Sequence, residues 1–196
     1  AVTDDFDEKA SDVNSVFVLK EMDLKFLELL APLGKKYNRK KVAAPLIMTP
    51  EYISGSLDVF PIEFLNYKLI HSTVFGEDIL KDIEIKRMDL RHQCERELKS
   101  KLIWLRQGYI SSQGDKKILT GRFMNSIGDY MPLFRGIIVL SGKEPPVIQN
   151  DVITALSDAV NVDAGVFSKV LKGKRGKLDL SIGELNTIFE DFYSVT

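Results

Sequence analysis

The chain has 196 residues, 44% of them hydrophobic and 28% charged, with a net charge of −1, which is the make-up of an ordinary globular protein and excludes disordered and collagen-like classes. No apolar run approaches the roughly 18 residues of a membrane span, and the acidic opening from Ala1 to Ala10 is unlike the basic and then apolar start of a signal peptide. The single cysteine, Cys94, excludes an intrachain disulfide and gives no reason for an oxidising compartment, so the expectation is a cytoplasmic protein without a membrane partner.

In chain order, the β-branched and aromatic run from Val13 to Leu19, entered through Ser11 and Asp12, predicts a first strand. Leu24, Leu27, Leu30 and Leu33 recur at helical spacing and predict a helix over 23–37. The basic cluster from Lys35 to Lys41 reads as a solvated turn. A second strand is expected from Ala43 to Met48. Thr49 followed by Pro50 has the form of an N-cap with proline at the first helical position. A third strand is expected from Leu57 to Phe64, with Pro61 marking an edge or a bulge, and a fourth from Ser72 to Phe75. Strands alternating with helices predict a small mixed sheet within residues 1–85.

Beyond Lys86 the pattern changes. Leu90, Cys94, Leu98, Leu102, Leu105 and Tyr109 form one apolar stripe along a long helix, and Leu119, Phe123, Ile127, Tyr130, Phe134 and Ile138 form a second. Shorter helices are expected at 150–160, 163–171 and 181–194. Asn150 and Asp163 are candidate N-caps, and Ser181 with Glu184 has the spacing of a capping box. Residues 86–196 therefore read as a helical bundle, and the fold class expected for the whole chain is α+β. The halves also differ in charge, with 15 acidic and 10 basic residues before residue 86, and 13 acidic and 17 basic after it. This is either compositional scatter or an acidic, metal-binding half facing a basic half that holds phosphates.

Transfer of a nucleotide or phosphoryl group needs carboxylates gathered around divalent cations. Residues two apart on a strand share a face, so Asp12 and Asn14 are placed as a compact clamp, one carboxylate and one neutral amide oxygen. Asp58 and Glu63, bracketing the expected third strand, are candidates for a further ligand or base; solvent-facing carboxylates are an equally simple account of them. His71 and His92 lack a second His or Cys at ligand spacing, which argues against zinc. Cys94 lies on the apolar stripe and reads as a core residue. The basic, glycine-rich stretch Lys172-Gly173-Lys174-Arg175-Gly176-Lys177 lacks interleaved aromatics and does not match a phosphate loop, so it reads as a solvated turn, and nucleic acid is not an expected partner.

The stretch Ser11-Asp12-Val13-Asn14, running from an acidic loop into an apolar strand, resembles the strand of the nucleotidyltransferase superfamily that carries its Asp-x-Asp motif. The longer series Thr49-Pro50-Glu51, Asp58 to Phe64, Gly76-Glu77-Asp78 and Asp89 to Leu98 resembles bacterial nucleotidyltransferase-like proteins that join this fold to a C-terminal helical bundle. The resemblance implies Mg²⁺ and a nucleoside triphosphate, ATP foremost, as cofactors. It implies Asp12, Asn14 and Asp58 as metal ligands, Ser11 and Asn14 at the nucleotide, and Asp12 with Glu63 as catalytic groups. Arg91 and Glu95, one turn apart on the first bundle helix, would face a small-molecule or protein acceptor; an exposed ion pair is the alternative. The family's Gly-Ser pair would fall before Ala1, so the resemblance also implies a domain truncated at its N-terminus, and it leaves room for a homo-oligomer. Asn14 stands where the family has its second carboxylate. Two functions follow: a weak or inactive nucleotidyltransferase, or a non-catalytic descendant that binds a nucleotide or a partner.

Overall fold

The computed structural model describes residues 2–6, 11–175 and 181–196. Its first unit is strand β1 (Val16–Val18), helix α1 (Leu24–Asn38) and strand β2 (Leu46–Met48), with the strands paired in parallel so that Val16, Phe17 and Val18 face Leu46, Ile47 and Met48. A separate parallel bridge joins Val13 to Val42, through Val13 N–H to the Lys41 carbonyl (2.7 Å) and Ala43 N–H to the Val13 carbonyl (3.0 Å). Helix α1 starts where Asp23 accepts from Lys25 N–H at 2.9 Å. It carries Pro32 internally, which removes one of its backbone donors.

The expected mixed sheet is not formed. The described residues hold only β1 and β2, three residues each, and the protein is mainly α rather than α+β. The stretch read as a third strand is a turn that runs into helix α3 (Pro61–Leu69), after the short helix α2 (Pro50–Ser54). Proline at the first helical position has no donor to lose and a φ already suited to a helix, so Pro61 starts α3 instead of marking a sheet edge. The alternation of Phe60, Ile62 and Phe64 resembled a strand, but Ile62 and Leu65 share one core cluster at the i,i+3 spacing of a helix, while Phe64 packs in another. Residues 72–75 form a loop in which Val74 and Phe75 are almost wholly exposed.

The helical half follows the expectation. Helices α4 (Arg87–Ser112), α5 (Lys116–Leu140), α6 (Gln149–Val160), α7 (Gly165–Arg175) and α8 (Ile182–Val195) succeed one another without a strand among the described residues. Between α4 and α5 the chain reverses through Gln113 and Gly114, both at positive φ, and Asp115 then caps α5 by accepting from Ile118 N–H at 2.9 Å. All six residues of the predicted α5 stripe are buried. Around them α6, α7 and α8 close a core centred on Phe167, whose ring lies 5.2 Å from Tyr130, 4.8 Å from Phe134 and 4.3 Å from Phe192. Thr49 caps α2 and Ser181 forms its capping box with Glu184, as expected. Asn150 lies inside the first turn of α6, and Asp163 accepts from Gly165 N–H at 2.8 Å. Lys172 to Lys174 belong to the last turn of α7, not to a loop; Gly176 and Lys177 lie outside the described residues.

The two halves share an apolar junction of Ile62 and Leu65 from α3, Leu90 and Cys94 from α4, and Leu133 from α5. Gly136 lets α5 approach α4, because a Cβ there would lie 2.9 Å from Cys94 Sγ and 3.3 Å from Leu90 Cδ1. Beside it, Arg135 is buried at 3% exposure and donates to the carbonyls of Pro146 (3.1 Å) and Val147 (2.6 Å) and to Asn66 Oδ1 (2.9 Å).

Candidate functional site

Asp12 and Asn14 are both exposed, on either side of half-buried Val13, whose N–H and C=O are engaged with the segment around Val42. Alternation puts their side chains on one side of the strand entry. Ser11 precedes them, half-buried. Asp58 is exposed on the turn before α3. Glu63 lies in the first turn of α3, and its carboxylate accepts from Gln93 Nε2 at 2.8 Å. Gln93 is itself buried, and its Oε1 accepts from Ile62 N–H at 2.7 Å. One amide thus satisfies an orphan donor at the start of α3 and ties Glu63 to α4. Arg91 and Glu95 form an exposed ion pair along α4, Nε to Oε1 at 2.7 Å, and the guanidinium holds the Glu95 carboxyl below its usual range. Among the described residues, no three or more His, Cys, Asp or Glu side chains come together as a metal group.

A cleft of about 300 Å³ opens in the bundle, between the C-terminal half of α4, the N-terminal half of α5 and α8. Trp104, Tyr109, Phe123, Tyr130 and Phe189 give it aromatic walls, and Lys101, Arg122 and Asp129 its charges. Trp104 is 71% exposed, large for the chain's single tryptophan. The Lys101 ammonium sits over the Tyr130 ring, 4.5 Å from its centroid. Burial lowers the pKa of Lys101, against a raising influence from Asp129 and Glu97. The Arg122 side chain lies across α4 beside Gly108. Its Nη2 donates to Ser111 Oγ at 2.9 Å. Tyr109 stacks near Phe189 at 4.5 Å and donates to Asn186 Oδ1 at 2.9 Å, so α8 closes one side.

The sequence marked Leu105, Tyr109, Leu119, Phe123 and Tyr130 only as members of the two apolar stripes, and none of the cleft residues as part of a site. Two signals were available there: Trp104, a large aromatic off the α4 stripe, and Gly108, an entropically costly residue inside a long helix. Compared with known protein families, curated proteins and solved structures, the chain matches none. No helix among the described residues is long and apolar enough to cross a membrane.

Proposed function

We propose that the protein is nucleotidyltransferase-like and holds a Mg²⁺-bound nucleoside triphosphate beside Asp12 and Asn14, with weak transfer to an acceptor. The observation that carries this reading is the exposure of both Asp12 and Asn14, which flank Val13 at a strand entry fixed by two backbone hydrogen bonds. The donor set suits a hard cation, since a carboxylate and an amide both offer oxygen. Bound there, the cation would neutralise phosphate charge. Asp12 supplies the pair's only negative charge, and Asn14 adds an oxygen without one.

Glu63 favours the second reading, nucleotide binding without transfer. Its carboxylate is hydrogen-bonded to Gln93 and helps join α3 to α4, which sets it against a role as a free base. Calorimetric titration with Mg–ATP tests the site. Saturable binding that requires Mg²⁺ and weakens about tenfold or more in Asp12→Asn is the expected result, because one charged ligand is lost. Equal binding by that variant would remove the site. Pyrophosphate release separates the two readings: Asn14→Asp, which restores a second carboxylate, raises it if the protein is a transferase and leaves it at background if the protein only binds.

A further inference from the structure

We propose that the cleft between α4, α5 and α8 is a binding site for a small organic anion with a planar aromatic body. The proposal is independent of the Asp12 site. The aromatic walls call for a flat, apolar ligand, and the volume of about 300 Å³ lies at the lower end of the range for ligand pockets.

The charge of the ligand follows from what the cleft already contains. An aromatic lining attracts cations, but the Tyr130 face is taken by the protein's own Lys101 ammonium. Lys101 is partly desolvated and, among the described residues, has no carboxylate within ion-pair distance; Asp129 lines the same cleft without pairing to it. Arg122 is a second cation on the cleft. Of its five N–H donors, one is accounted for, by Ser111, among the described residues. Asp129 and Glu97 both act on Lys101 electrostatically, but neither Lys101 nor Arg122 is ion-paired with a carboxylate among the described residues, so both keep donors for an anion beside an aromatic wall. Asn125 and Ser126, also on the cleft, add polar atoms for the ligand's remaining groups.

Trp104 is the only tryptophan in the chain and lines the cleft, so its emission reports occupancy directly. The test uses two probes with the same body: 1-anilinonaphthalene-8-sulfonate, an anion, and N-phenyl-1-naphthylamine, its neutral counterpart. The sulfonate is expected to quench Trp104 saturably and to bind about tenfold more tightly than the neutral probe, as a charge-assisted contact allows. Arg122→Gln and Lys101→Gln should each remove most of that preference while leaving the neutral probe's binding unchanged. Arg122 is exposed, so Arg122→Gln keeps the test valid if Lys101→Gln lowers the melting temperature. Equal affinity for the two probes, an unaltered preference in Arg122→Gln, or no saturable quenching would each overturn the proposal.

Discussion

Cys94 shows how burial sets the chemistry of a single group. Its thiol sits at 3% exposure against Gly136, and burial, helped by the Glu97 charge, pushes its pKa from the ordinary 9.0 up to about 12. It is therefore a packing residue and not a nucleophile at neutral pH. Tyr130 behaves alike, its pKa pushed by burial from 10.0 up to about 12. Both groups have a folded pKa above the unfolded one, so the stability they contribute is fully present below the unfolded pKa and is lost as pH rises toward the folded value. For Cys94 that loss begins near pH 9.0 and for Tyr130 near pH 10.0. Urea midpoints measured across this window should fall with rising pH, and in Cys94→Ala the fall should begin later, where Tyr130 takes over. An unchanged onset in the variant would show that Cys94 is not the group responsible. The sequence placed Cys94 in the core through its position on the α4 stripe. It did not reveal the close approach of Gly136, which requires the partner helix in place.

At the scale of the element, local signals decided helix ends better than they decided strands. Ser181 Oγ accepts from Glu184 N–H at 3.3 Å, and the Glu184 carboxylate accepts from Ser181 N–H at 2.7 Å, so two orphan donors at the start of α8 are satisfied reciprocally. Helix α8 supplies Phe192 to the aromatic core and Phe189 to the cleft. Ser181→Ala should cost about 1 kcal/mol and lower the thermal midpoint by a few degrees, whereas Ser181→Asp, which keeps an accepting oxygen, should stay close to the parent. A melting curve for Ser181→Ala that overlays the parent would show that the cap contributes nothing. Residues 57–64 failed as a strand for an identifiable reason. A short apolar run bounded by turn residues fits either period, and the burial of Ile62, Phe64 and Leu65 together belongs to a helix packed on two sides, against β2 and α2 and against α4 and α5.

At the scale of the whole molecule, the halves are joined by polar as well as apolar contacts. Arg135 on α5 reaches Asn66 on α3 and the carbonyls that lead into α6, so one guanidinium ties three parts of the chain together. Arg135→Met would keep much of the volume and leave three acceptors without their donor. The expected cost is about 2–4 kcal/mol, read from the denaturant midpoint, with little loss of helical circular dichroism before the transition. A midpoint equal to the parent's would show that the tie is not needed. The sequence by itself determined the helical half, because α4 to α8 are written in unbroken helical stripes and in caps that act within a few residues. It also marked the two strands, β1 and β2, whose β-branched and apolar runs are local signals. Only the tertiary structure decided that residues 57–64 are a turn running into helix α3, that Glu63 is held by Gln93 thirty residues away in sequence, and that Lys101, Trp104 and Arg122 meet in one cleft. Those outcomes depend on how α3, α4, α5 and α8 are set against one another, and hydrophobic periodicity says which face of a helix is covered but not which helix covers it.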